Sequence, residues 1–184
     1  MERSVVFAGF GGQGLLFAGQ ILARAAIRDG LEVFWIPSYG PEMRGGTASC
    51  TVIVGDGPIG SPVVDRFDAA VVMNLPSLAK FGPRIASGGL LIVNSSLVGE
   101  ASADRPGASE LRIACTELGA RAGNDKLVSV VALGALIGRL GWVSSSSVEA
   151  AIREVVGRKR PDVLDADLAA FDAGVSAGRL PAAA

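Results

Sequence analysis

Short, nearly unbroken apolar runs alternate along this chain with longer stretches in which apolar side chains recur every third or fourth position. The first kind predicts buried strands, the second amphipathic helices. Ser4–Ala8 (SVVFA) is the first strand and stops at Gly9. Leu15, Leu16, Ala18, Gly19, Ile21, Leu22, Ala25 and Ala26 then hold helical spacing as far as Asp29-Gly30, where Gly30 suits a C-terminal cap. Further strands follow at Glu32–Ile36, closed by Pro37, at Thr47–Val54, ended by Gly55-Asp56-Gly57, and at Ala69–Met73. Pro76 starts a short helix, PSLAKF, and Gly88-Gly89 turns the chain into a fifth strand, Leu90–Val93, that ends at Asn94-Ser95-Ser96. The stretch from Gly99 to Glu110 reads as an irregular loop, and Leu111–Ala114 as a sixth strand.

Beyond Gly123 the rhythm is helical throughout. Asn124 is an N-cap for a helix over Asp125–Leu140 ended by Gly141, Ser144–Ser147 offers caps for Val148–Val156, and a last helix spans Asp165–Val175. Strands alternating with helices predict a single three-layer α/β/α domain with a mostly parallel sheet and a Rossmann-like first βαβ unit. No helix separates the second and third strands, so the sheet is expected to be mixed, with an antiparallel part. The domain is expected over residues 4–178, with a loose tail at 179–184.

Composition narrows the chemistry. Apolar residues make up 49% of the chain, and mean hydropathy is +0.44. Such a chain either buries nearly all of this internally or covers some of it with a partner. Seventeen basic residues against eighteen acidic ones leave no broad basic surface for nucleic acid. The apolar stretch Leu127–Gly138 is too short to cross a bilayer, and no charged-then-apolar leader precedes the first strand, which predicts a cytoplasmic protein. The chain has no histidine, the commonest general base and metal ligand, and its two cysteines, Cys50 and Cys115, lie apart in apolar runs. No catalytic residue and no metal ligand are therefore assigned, and four thiolates for an iron–sulfur cluster are not available.

Gly9, Gly11 and Gly14 spell G-x-G-x-x-G between a strand and a helix, the context of a dinucleotide loop. A dinucleotide site also needs an acidic residue at the end of the second strand for the ribose. That strand ends FWIPSYG, without one. Three readings stay open for the loop: a tight turn built for packing, a phosphate or carboxylate site at the helix N-terminus, and a true dinucleotide site. A second loop, SYGPEMRGG at 38–46, is expected on the same rim of the sheet.

Together the two loops resemble the gamma subunit of 2-oxoacid:ferredoxin oxidoreductases. GFGGQG and YGPEMRGGTASCTVIV carry the likeness, and IGSPVV, AVVMNLPSLAKF, GGLLIVNSSL and NDKLVSVVALGALIGRLG continue it in order, over about residues 4 to 175. The pyruvate, 2-oxoglutarate and branched-chain (ketoisovalerate) types are not separated by these motifs.

The resemblance implies a complex that oxidatively decarboxylates a 2-oxo acid, joins the acyl group to coenzyme A and passes electrons to ferredoxin. Thiamine diphosphate with magnesium and the iron–sulfur clusters are then held by alpha and beta subunits, and by a delta subunit where one is present. This chain supplies subunit contacts and a share in coenzyme A binding, and is expected to be inactive alone; self-association of the isolated chain stays open. The residues expected to meet a ligand or a partner are Gly9, Gly11, Gly12, Gln13, Gly14, Tyr39, Glu42, Arg44, Gly45, Gly46, Asn74, Ser95 and Ser96. Gln13 and Arg44 stand at the family's motif positions, and Arg44 can grip a phosphate or carboxylate with two parallel hydrogen bonds. The alternative is a free-standing nucleotide- or flavin-binding enzyme that uses the same first turn.

Overall fold

The computed structural model describes residues 1–39, 47–103, 106–157 and 160–179. Among these residues six strands, β1 (Glu2–Phe10), β2 (Glu32–Tyr39), β3 (Thr47–Gly55), β4 (Phe67–Val72), β5 (Ile85–Asn94) and β6 (Ser109–Ile113), form one sheet in the order β2-β3-β1-β4-β5-β6. β1, β4, β5 and β6 are parallel neighbours. β3 is antiparallel to both β1 and β2, so the sheet is mixed as expected. The first crossover, β1–α1–β2, joins two strands of the same direction with β3 inserted between them. Pro37 does not close the second strand as expected but lies within β2, an edge strand, where proline is tolerated.

Among the described residues, seven α-helices accompany the sheet: α1 (Leu15–Arg28), α2 (Leu75–Phe81), α3 (Ser95–Val98), α4 (Cys115–Arg121), α5 (Val128–Leu140), α6 (Ser145–Gly157) and α7 (Leu164–Arg179). The two faces of the sheet are covered unequally. Val5, Phe7, Cys50, Val52, Ala69, Val71 and Ile92 point into a large core shared with α1, α5, α6 and α7. Val6, Ala8, Ala70, Val72, Leu91 and Val93 point the other way, into a smaller core closed by Leu78 and Phe81 of α2. Burial on both faces explains why these strands read as continuous apolar runs rather than alternating ones.

α5 and α7 pack at backbone contact. Methyl groups at Gly134, Gly138, Gly174 and Gly178 would each meet main-chain atoms of the facing helix, around Phe171, Val175, Val131 and Ala135 respectively. α6 is locked to α1 at its start. Asp29, the C-cap of α1, accepts hydrogen bonds from Ser144 N at 2.6 Å, from the Ser144 hydroxyl at 2.9 Å and from the Ser147 hydroxyl. Slight burial pushes the Asp29 carboxyl up, and the three hydrogen bonds outweigh it, so the pKa lies below its ordinary value. Arg24 and Arg28 add a forked pairing with Glu154 farther along α6.

The structure differs from the sequence expectation in places. α6 begins at Ser145 rather than Val148, because Ser144 takes the N-cap position and its hydroxyl accepts from Ser147 N. The helix expected from Asp125 starts instead as a 3-10 turn over Asp125–Leu127, with Asn124 capping Lys126 N. α4 was not foreseen. Residues 180–184 of the expected tail lie outside the described residues.

Candidate functional site

β1 and β2 run in one direction, and β4 and β5 share it, so all four end on one rim. In open α/β sheets this carboxyl rim is where ligands bind. The glycine loop leaves β1 here. Its left-handed positions are Gly12 (φ +97°) and Gly14 (φ +75°), a conformation costly for residues with a Cβ. Gly14 is the N-cap of α1 and supplies no side chain, so the first N–H groups of this helix are left without a side-chain acceptor. The helix dipole adds to them the field that favours an anion.

Gln13 has a different role from a free ligand hand. Its side-chain carbonyl accepts from Phe10 N at 2.7 Å, and Gln13 N donates back to Phe10 O at 3.3 Å. The residue thereby closes the turn that presents the helix end. A methyl at Gly9 would collide with that same Gln13 carbonyl and, at 2.9 Å, with Met73 Cβ just past the end of β4. The glycine at 9 thus makes room for both the turn and β4.

Asn74 follows β4 and caps α2, its Oδ1 accepting from Ser77 N at 2.9 Å. Asn94 ends β5 and does the same for Cys115 N at 3.1 Å. Both are buried, and the Nδ2 of each has no hydrogen-bond partner. The Thr116 hydroxyl nearby on α4 is a third buried polar group without one. Ser96 donates to Glu117 and accepts from Thr116 N. Its hydroxyl is the main cause that holds the Glu117 carboxyl below the ordinary range. Ser95, the first residue of α3, accepts from Gly99 N through its carbonyl, an ordinary short-helix contact.

The second loop leaves Tyr39 and returns at Thr47 on this rim. Glu42, Arg44, Gly45 and Gly46 lie outside the described residues, as does the side chain of Tyr39. The stems of that loop are described, and a cleft of about 240 Å³ lies between them and α2, lined by Ser38, Thr47, Ser49, Pro76, Lys80 and Phe81. Lys80 brings a positive charge to it. The rim therefore gathers the glycine loop, Asn74, Ser95 and Ser96 on the ends of three parallel strands. Asn94, Thr116 and Lys80 join them without having been singled out from the sequence; the rule that strand-terminal residues face the rim would have found Asn94.

The same geometry weighs against a dinucleotide. β3 lies between β1 and β2, so the strand whose end should carry the ribose-binding acid is not β1's neighbour, and it carries no acid there. Cys50 and Cys115 are fully buried, and desolvation pushes both thiols up to about 12, which leaves them protonated and inert. Among the described residues no three His, Cys, Asp or Glu side chains come together as a metal site. No described helix is long and apolar enough to cross a membrane.

A mixed α/β domain with a glycine loop and orphaned hydrogen-bond donors on its carboxyl rim is the kind of chain that offers a binding surface rather than a self-contained reaction centre. The chain belongs to the pyruvate ferredoxin/flavodoxin oxidoreductase family, whose model it matches over residues 4–177. It is 35% identical over 180 residues to the ketoisovalerate oxidoreductase subunit VorA of Methanothermobacter thermautotrophicus, covering 97% of this chain and 37% of that protein. The chain thus spans little more than a third of that relative's length. It is also 35% identical over 180 residues to the 2-oxoglutarate synthase subunit KorC of the same organism, covering 95% of this chain and 94% of that one. Among solved structures, the gamma subunit of a keto/oxoacid ferredoxin oxidoreductase from Geobacter sulfurreducens is similar at 31% identity and a TM-score of 0.81, over 96% of this chain and 98% of that chain. A 2-oxoglutarate:ferredoxin oxidoreductase from Magnetococcus marinus shares the fold at 24% identity and a TM-score of 0.87, over 99% of this chain and 32% of that one. The free-standing nucleotide or flavin enzyme gives way to these relatives, which are oxidoreductase subunits.

Proposed function

We propose that this chain is the gamma-type subunit of a 2-oxoacid:ferredoxin oxidoreductase and that its carboxyl rim closes over the coenzyme A substrate. The complex oxidatively decarboxylates a 2-oxo acid and hands its electrons to ferredoxin; the alpha and beta subunits, with a delta subunit where present, hold thiamine diphosphate, magnesium and the iron–sulfur clusters. The described residues of this chain fit neither a cluster nor a metal, since both thiols are protonated and no ligand group assembles. The work left to it is positioning and exclusion of water around the chemistry of others.

One observation carries the reading: the uncapped N-terminus of α1 on the glycine loop, a place for an anion, on the rim from which the Arg44 loop departs. Coenzyme A supplies anionic phosphates. The Magnetococcus marinus enzyme that shares this fold was solved with 2-oxoglutarate, coenzyme A and succinyl-CoA bound, which supports the same ligand here.

Arg44→Ala in the reconstituted complex is the test. If Arg44 holds a coenzyme A phosphate, the variant assembles normally and its KM for coenzyme A rises by about tenfold or more, since truncating a charge-assisted contact costs about 2–5 kcal/mol. If Arg44 pairs with a partner subunit, assembly weakens while the coenzyme A requirement of surviving complexes stays put. Parent-like assembly together with parent-like turnover at limiting coenzyme A removes Arg44 from the site.

A further inference from the structure

A second concave site lies on the helical side of the molecule. α1, the turn before α5, the end of α6 and the start of α7 line an open cavity of about 510 Å³. Phe17, Leu127 and Val156 give it an apolar wall. At its inner side stands Asp167, only 5% exposed. No hydrogen bond reaches its carboxyl group from any described residue. Its position in the first turn of α7 lets the helix dipole favour a negative charge, but gives its oxygens no donor. Burial raises its pKa, against a smaller opposing pull from Arg160. Lys126 and Arg160 are exposed at the outer side of the same cavity. Among the described residues Arg160 pairs with Asp162 at 3.7 Å and the Lys126 ammonium makes no ion pair.

The polar groups are thus divided: a buried acceptor inside, cations outside, an apolar wall between. Pockets of this size with a few convergent polar groups are typical of small-molecule sites. A fatty acid would leave Asp167 without a donor. A simple amine would have no use for the two cations, and inorganic phosphate none for the wall. A ligand that satisfies all three has an N–H donor on a flat apolar body and an anionic group at its far end.

We propose that this cavity binds a purine nucleotide, with the exocyclic amino group donating to the Asp167 carboxylate, the base against Phe17 and the phosphate toward Lys126 and Arg160. The nucleotide is either free or the adenosine phosphate end of coenzyme A. In its coenzyme A form the proposal rests on the function proposed above; in either form its failure leaves the Arg44 experiment untouched.

Titration calorimetry on the full chain with AMP, GMP, adenosine, coenzyme A and pantetheine tests it. AMP or GMP should bind, and pantetheine should not displace it. Asp167→Asn should weaken AMP and adenosine alike, by about tenfold, equivalent to about 1.4 kcal/mol. Lys126→Ala should weaken AMP and leave adenosine unchanged. Val163→Trp, on the turn that walls the cavity, should abolish binding of both, and a thermal melt of each variant confirms that it is folded. Coenzyme A that competes with AMP and weakens in Asp167→Asn identifies the nucleotide as coenzyme A's own; coenzyme A that does neither identifies a free nucleotide. No binding of AMP or GMP at about millimolar concentration, or binding indifferent to both Asp167→Asn and Val163→Trp in folded protein, overturns the proposal.

Discussion

Gly12 and Gly14 occupy the same left-handed backbone region for different reasons, and substitution separates them. A side chain at Gly12 would meet nothing within 4 Å, so Gly12→Ala should lose only the conformational preference, about 1–2 kcal/mol. A side chain at Gly14 would also meet the Ser129 side chain on α5. Gly14→Val adds overpacking of about 1–3 kcal/mol to the backbone term, and urea denaturation should show the larger loss. Equal losses would mean that the loop does not bear on α5. The sequence made the need for glycine legible through the G-x-G-x-x-G spacing, but not which glycines are left-handed. Gly12 lies outside that spacing, and the contact of Gly14 with Ser129 joins residues far apart in sequence. Likewise Gln13 stood out as a motif residue, while its hydrogen bond to Phe10 N, which makes it a turn-closing residue, depends on geometry that spacing does not contain.

At the scale of elements, the strands and longer helices were legible because burial on two faces, or on one stripe, leaves a direct mark on the order of residues. α4 left a faint mark: its seven residues bury Cys115 and Gly119 and little else. The placement of β3 between β1 and β2 was legible only as an antiparallel stretch, since strand order depends on pairing partners. The α5–α7 contact was invisible for a related reason. By propensity alone glycine costs about 1 kcal/mol relative to alanine inside a helix, and nothing in the spacing marks Gly134, Gly138, Gly174 and Gly178 as contact positions. In the fold they let two helices touch through their backbones. Gly134→Ala should therefore destabilise despite its better helix propensity, by about 1–3 kcal/mol, as a methyl is forced against the Phe171 carbonyl. Gly157→Ala, whose methyl would meet Leu164 Cδ2 at an ordinary 3.6 Å, should be neutral or slightly stabilising. Chemical denaturation of the two variants side by side checks this; a stable Gly134→Ala protein would mean that the helices part easily.

At the scale of the whole molecule, the inventory of chemical groups and the division of burial point the same way. There is no histidine to move a proton, and both thiols are held near 12 inside the core. Of the four buried polar atoms left unsatisfied among the described residues, Asn74 Nδ2, Asn94 Nδ2 and the Thr116 hydroxyl sit at one rim and can hold or orient a bound group; the fourth is Arg112 Nη2 on β6. None of them is a redox centre. Phe10 at the end of β1, Leu75 at the start of α2 and Leu97 in α3 leave large apolar side chains exposed at the same rim, where a partner can cover them. A chain so built should show no turnover when supplied alone with a 2-oxo acid, coenzyme A, thiamine diphosphate, magnesium and an artificial electron acceptor. Addition of the remaining subunits should bring the activity up, and omission of this chain from the mixture should lower it. The two halves are needed together: silence alone is also what a misfolded preparation gives, whereas silence followed by complementation requires a folded chain that contributes something the others lack. Turnover by this chain without partners would place electron transfer and carbon–carbon cleavage on groups it does not contain, and the subunit reading would have to be abandoned.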